Sequence, residues 1–125
     1  MAMRNRIVLV DDDADMRELL RLRLEEEFDI IGEAADGRGA ISLVKETQPD
    51  LVVMDLMMPH VDGLDAISEI KLTCPGTKIV VVTAAGRSLM AEAAGRGADG
   101  WVDKVSYGDE LLGIIRSTLG HPEQG

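Results

Sequence analysis

Three runs of this chain are short, apolar throughout and mostly β-branched: Ile7-Val8-Leu9-Val10, Leu51-Val52-Val53-Met54 and Ile79-Val80-Val81-Val82. A strand with one wet face alternates apolar and polar residues. An unbroken apolar run therefore marks a strand buried on both faces, as in a parallel sheet covered by helices on each side. Asp29-Ile30-Ile31-Gly32-Glu33 and Gly100-Trp101-Val102 are weaker candidates for two further strands. Between the runs lie amphipathic stretches that predict helices at about 14–27, 38–47, 63–73, 88–96 and 108–119. The last is the best punctuated. Ser106 and Asp109 stand at capping-box spacing, Leu111, Leu112, Ile114 and Ile115 form an apolar face, and Gly120 then Pro122 end it. Five β–α repeats with short connections predict an α/β three-layer sandwich around a parallel five-stranded sheet, with right-handed crossovers.

A chain of 125 residues, 46% of them hydrophobic, suits one domain over residues 1–125, with its core at about 5–120. Residues 121–125 read as a tail or the start of a linker. Aromatic residues are only 2%, so the core is expected to be aliphatic. No apolar run approaches the roughly 20 residues that span a bilayer, and the first residues lack the apolar stretch of a secretory signal. The single cysteine, Cys74, has no internal partner, which fits a reducing cytoplasm. Acidic residues outnumber basic ones 23 to 13, for a net charge of −10. That excess disfavours direct nucleic-acid binding, which needs basic side chains to displace counterions.

In a doubly wound sheet, ligands bind outside the carboxyl ends of the strands. Asp11, Asp12 and Asp13 follow the first run, Asp55 the third, Thr83 the fourth, and Lys104 closes the fifth. Acids, a hydroxyl and a lysine thus converge on one rim. Carboxylates brought close raise each other's pKa, and a hard divalent cation such as Mg²⁺ relieves the repulsion. Asp55 then suits a nucleophile that forms an aspartyl-phosphate, with the cation, Lys104 and Thr83 neutralising phosphoryl oxygens. Each residue has a plainer reading. Asp13 and Asp15 are expected only to start the first helix, where its dipole favours acids. Thr83 alone could be a strand residue, Lys104 a solvated lysine and Asp55 a turn residue. Their joint placement on one rim argues against that.

Val8-Leu9-Val10-Asp11-Asp12, the run from Met54 through Asp55, Met57, Met58 and Pro59 to Asp62-Gly63, Val82-Thr83-Ala84 and Val102-Asp103-Lys104 together resemble the signature of response-regulator receiver domains, in order and spacing, from about Ile7 to Leu119. The resemblance implies a flavodoxin-like fold with strand order 2-1-3-4-5, a Mg²⁺ requirement and a sensor histidine kinase as phosphoryl donor. By position, Asp55 resembles the phosphoacceptor, Asp12 the direct metal ligand and Asp11 the acid that holds metal-bound water. Met57 would offer its backbone carbonyl to the metal. Thr83 and the Ala84 amide would contact phosphoryl oxygens, and Lys104 would pair with them. Trp101 stands where the family's aromatic switch residue stands; a packing residue half exposed at a strand end is the other reading. Pro59 and Gly63 would shape the loop after Asp55.

Most receivers carry Lys-Pro with a cis bond at the fifth strand. Here Val105 follows Lys104, and a trans peptide is expected. That departure, with Ile31-Gly32-Glu33-Ala34-Ala35-Asp36-Gly37, Pro75-Gly76-Thr77 and Gly97-Ala98-Asp99-Gly100-Trp101, resembles the NarL-type subfamily. Receivers of that kind precede a DNA-binding helix-turn-helix domain, which this chain does not contain. Transcription regulated through such a domain is one expected output, and a stand-alone receiver acting by protein contact is the other. The family's output face would be the fourth helix, fifth strand and fifth helix, here with Leu89, Met90, Trp101, Tyr107 and Leu111, and a homodimer there is a hypothesis. Met57 and Ala85 occupy the two positions that, in this family, influence hydrolysis of the acyl phosphate. Neither side chain can hydrogen-bond a water, so slow self-dephosphorylation is expected, quickened by Met57→Asn. The protein would not otherwise be an enzyme.

The string Gly95-Arg96-Gly97-Ala98-Asp99-Gly100 fits a dinucleotide fingerprint but lies in the wrong order, after a helix and before a strand, so a helix-ending loop is expected. His60 and His121 lack metal-ligand spacing and are expected at the surface; Met54, Met57 and Met58 are expected as core or rim residues. A haloacid-dehalogenase-type phosphohydrolase would need an acid where Met57 stands. A flavin carrier would need a phosphate loop rich in Ser, Thr and Gly where Asp11-Asp12-Asp13 stand.

Overall fold

The computed structural model describes residues 4–57, 63–84, 86–104 and 108–121. Five strands, β1 (Arg6–Val10), β2 (Asp29–Ala34), β3 (Leu51–Met54), β4 (Lys78–Thr83) and β5 (Gly100–Asp103), alternate with five helices. These are α1 (Ala14–Leu24), α2 (Gly37–Thr47), α3 (Gly63–Thr73), α4 (Arg87–Arg96) and α5 (Gly108–Thr118). All strand pairings are parallel and the order is β2-β1-β3-β4-β5, the expected flavodoxin-like arrangement.

The three apolar runs are buried along their whole length, and side-chain alternation splits them between two cores. Val8, Val10, Val52, Met54, Ile79 and Val81 meet Ala40 and Val44 of α2, Ile67 and Ile70 of α3, and Met90 and Ala93 of α4. Ile7, Leu9, Leu51, Val53, Val80, Val82 and Val102 meet Leu20 and Leu24 of α1 and Leu111 and Ile115 of α5. Two helices on one face and three on the other explain why no central strand has a polar side.

Most elements keep their expected bounds to within one residue. The first helix does not: it ends at Leu24, where a span to 27 was expected. Glu25-Glu26-Glu27 would place three negative charges at a helix C-terminus, against the dipole. The chain turns instead so that Phe28 is buried, its amide donating to the Leu24 carbonyl. Arg4 then reaches across to donate to the carbonyls of Glu25, Glu27 and Phe28. The glycine string after α4 is the expected loop. Gly97 closes the helix at φ 117°, a left-handed conformation that suits glycine, and β5 follows at Gly100. Asp13 and Asp36 cap α1 and α2, their side chains accepting from Met16 and Gly39 amides respectively. Ser106 of the expected capping box, Tyr107 and Val105 with its expected trans peptide lie outside the described residues, as do Met58, Pro59, His60, Asp62, Ala85 and Pro122.

Candidate functional site

The rim is built by the ends of the central strands. Asp11 and Asp55 are the residues directly after β1 and β3. The Asp11 amide donates to the Ala34 carbonyl (3.1 Å) and that of Asp55 to the Val10 carbonyl (3.0 Å), so the sheet's pairing carries one step beyond the strands. Both acids are therefore fixed by backbone, and both are buried, at 2% and 3% exposure. Asp12 beside them is exposed. Asp11, Asp12 and Asp55 each present a carboxylate oxygen within 4.8 Å of the others. Asp13 is not among them; it caps α1, as expected.

Local turns aim the two buried carboxylates. Asp11 Oδ1 accepts from the Asp13 amide (2.9 Å) and Asp55 Oδ1 from the Met57 amide (3.0 Å). The remaining oxygen of each faces Lys104, whose Nζ lies 2.8 Å from Asp55 Oδ2 and 3.1 Å from Asp11 Oδ2. Burial pushes the Asp11 carboxyl above its usual range, against the lowering effect of the Asp13 amide and Lys104. For Lys104, burial acts to lower its pKa, but the hydrogen bonds to Asp55 and Asp11 outweigh it and raise the value. The lysine is thus held charged. Its bond to Asp11 as well as Asp55 was not anticipated from sequence.

This donor set fits a hard divalent cation. Three clustered carboxylates against one ammonium leave two negative charges uncompensated, and all the side-chain donors are oxygens.

Thr83 is the last residue of β4 and fully buried, rather than lying just beyond the strand; Ala84 follows it, exposed. Val81 pairs with Met54, which brings the end of β4 level with Asp55, and Thr83 pairs with Asp103, which precedes Lys104. Met57 is on the rim with its side chain 61% exposed, while Met54 is core. Gly63 opens α3 against the Leu56 backbone, where an added Cβ would fall 2.7 Å from Leu56 Cα, so a side chain there would push directly on the Asp55 loop.

Trp101 lies within β5, 48% exposed, over a groove of about 490 Å³ shared with Met90, Ala94, Glu110 and Ile114. It is neither packed in the core nor part of the acid rim. Leu111, considered for the exposed output face, is fully buried against the sheet, and Met90 nearly so. His121, expected at the surface, is half-buried, its amide bonded to the Arg116 carbonyl.

Sequence reasoning missed Arg17. From the first turns of α1 its Nη1 donates to the Asp11 carbonyl (2.6 Å), and its Nε pairs with Glu33 of β2 (3.1 Å). An arginine on a helix and an acid on an edge strand each look like ordinary surface charges. The available signal was that both stand near strand ends on the rim side.

Comparison with known proteins bears on this geometry. CheY, a chemotaxis protein of Halobacterium salinarum, is 47% identical over 118 residues, covering 94% of this chain and 98% of that protein. The transcriptional regulatory protein YdfI of Bacillus subtilis is 38% identical over 117 residues, covering 92% of this chain but 55% of that protein. Among solved structures, the signal receiver domain of the response regulator NarL from Mycobacterium tuberculosis superposes with a TM-score of 0.87 at 26% identity, covering 97% of this chain and 100% of that one. The family model of the response regulator receiver domain matches residues 7–116, a span that contains every strand end of the acid rim. With that match over most of its length, and with the sheet order and rim just described, the chain belongs to the response regulator receiver domain family.

Proposed function

We propose that Asp55 is the phosphoacceptor of this receiver and that a sensor histidine kinase supplies the phosphoryl group. In the transfer, an Asp55 carboxylate oxygen forms the new bond to phosphorus while the phosphorus–nitrogen bond to the donor imidazole breaks. The observation that carries the reading is the pairing of Asp55 with Lys104 beside Asp11 and Asp12. Asp11, Asp12, Asp55 and the Met57 carbonyl would hold Mg²⁺, which supplies charge neutralisation for the phosphoryl oxygens when bound. Lys104, already shared between two acids, can turn from the Asp55 carboxylate to a phosphoryl oxygen without leaving Asp11. The Thr83 hydroxyl and the Ala84 amide would contact the other oxygens. Thr83 and Trp101, on adjacent strands, would then report occupancy to the face of α4, β5 and α5, biasing a two-state equilibrium.

The protein acts as a switch, with slow self-dephosphorylation as its only turnover, since the Met57 side chain can orient no water. A cytoplasmic setting agrees with the absence, among the described residues, of any helix long and apolar enough to cross a membrane. Two outputs have support. The 47% identity to a relative covered over 98% of its length favours a stand-alone receiver acting by protein contact. The likeness to the longer YdfI and to NarL favours the NarL-type reading, transcription through a DNA-binding domain joined to a receiver.

The test is incubation with acetyl phosphate and Mg²⁺ followed by intact mass. Wild type should gain one phosphate and Asp55→Asn none; equal gain by both would overturn the assignment. Decay of the same peak should be slow, and faster in Met57→Asn.

A further inference from the structure

The acid loop between β1 and α1 poses a backbone problem that the structure answers with one side chain. In a parallel ladder, the Asp11 amide bonded to the Ala34 carbonyl implies that the Asp11 carbonyl should accept from the Asp36 amide. Asp36 has left the sheet, however, and caps α2 with an extended backbone. The Asp11 carbonyl, in a residue buried to 2% exposure, would lose its ladder donor at the point where the acid rim begins. Arg17 supplies the donor instead, at 2.6 Å. Glu33 of β2 holds the guanidinium in place through Nε, at 3.1 Å, and Arg21 steadies Glu33 from the next turn of α1, at 3.4 Å.

We propose that Arg17, held by Glu33, is a positioning residue for cation binding, because it fixes the planar peptide that joins Asp11 to Asp12. The Asp11 carbonyl and the Asp12 amide share that plane, so clamping one sets the direction in which the exposed Asp12 leaves it. The Asp13 amide clamps the Asp11 carboxylate on the other side, at 2.9 Å. Asp11 and Asp12 are thus oriented together by a guanidinium that touches neither carboxylate. A glutamine at position 17 would lose both the charge and the reach to two acceptors. A lysine keeps the charge but replaces the planar fork, whose Nη1 and Nε are aimed at separate acceptors, with one compact ammonium on a shorter reach.

The inference rests on the cation reading proposed above, and calorimetric titration with MgCl₂, with no phosphodonor present, separates the two. Wild type should bind Mg²⁺ in a manner that Asp12→Asn removes. Arg17→Gln should bind it about tenfold more weakly, the usual loss when an outer partner of a metal ligand is removed. Arg17→Lys and Glu33→Gln should fall between. Thermal melts of the same samples show whether the variants are folded, and a purely structural arginine would lower Tm while leaving Mg²⁺ affinity unchanged. A folded Arg17→Gln with wild-type affinity overturns the positioning role alone; should Arg17→Gln fail to fold, wild-type affinity in Glu33→Gln does the same. A wild type whose Mg²⁺ binding is absent or indifferent to Asp12→Asn overturns the cation reading and the positioning role together.

Discussion

The smallest unit that explains this site is one ammonium between two buried carboxylates. Asp11 is raised by burial, so its ionisation costs stability: the penalty is absent well below its ordinary 3.8 and complete once the pH passes its folded value. At neutral pH the metal-free protein therefore carries that cost, and Lys104 offsets part of it. Removing one partner of a fully buried pair costs about 3–5 kcal/mol. The Lys104 side chain is 26% exposed, so water can replace part of its effect. Lys104→Ala should lose about 1–3 kcal/mol of metal-free stability at neutral pH. Added MgCl₂ should then raise its Tm more than that of wild type, because the cation has more uncompensated charge to neutralise. Thermal melts with and without MgCl₂ check this; an equal rise in both would mean that Lys104 does not share the cation's task. Asp11, Asp55, Thr83 and Lys104 were legible in the sequence because a strand end is a position that a pattern of apolar runs marks. Arg17 was not, because its partner is a backbone carbonyl, and no spacing of residue types shows which carbonyl a sheet leaves without a donor.

At the scale of elements, strands were read more accurately than helix ends. A buried strand declares itself by composition, whereas the end of α1 depends on Arg4, a residue some twenty positions away in sequence, taking up the carbonyls of the Glu25–Phe28 turn. The same turn is tied to α5. The Arg116 guanidinium grips Glu27 with Nε 2.8 Å from Oε2, and this hydrogen bond, against a smaller effect of burial, holds the Glu27 carboxyl below its ordinary 4.5. Arg4 and His121 add to the lowering. A carboxyl lowered in the folded state contributes stability that is fully present above 4.5 and is lost as pH falls through the folded value. Glu27→Gln should therefore flatten the fall of Tm with acid below pH 4.5, and should leave the Mg²⁺ response untouched, since Glu27 lies in the turn that enters β2, at the amino ends of the strands and opposite the acid rim. An acid slope identical to wild type would show that other carboxylates dominate. Leu111 belongs to the apolar face read for the last helix, and it packs on β4 and β5 with Ile115 rather than lying open on the output face.

For the molecule as a whole, two largely aliphatic cores cover the faces of the sheet, and the surfaces to which the proposed switch assigns function lie at its edges: the acid rim at the strand ends and the groove beside Trp101 on α4, β5 and α5. If phosphorylation remodels that face, a second copy is one occupant to consider, and net charge decides how it should behave. Two chains of −10 repel over a distance set by the Debye length, about 10 Å at 0.1 M salt. Apolar contact between two Trp101 grooves, with Glu110 on each rim, would have to overcome that repulsion. Salt screens the repulsion and leaves apolar contact almost untouched. A homodimer on this face, formed with beryllofluoride and Mg²⁺, should therefore grow in population as NaCl is added, and Trp101→Ala should reduce it. Light scattering across a salt series reads both. An activated chain that stays monomeric at every salt concentration would argue for output through a different partner, and the acidic Glu110 beside an exposed indole would then suit a basic, partly apolar segment better than a second copy. A dimer that dissociates as salt rises would instead mean that complementary charges, such as the exposed Arg87 of α4 against acids of the other copy, hold the interface and that the apolar groove is secondary.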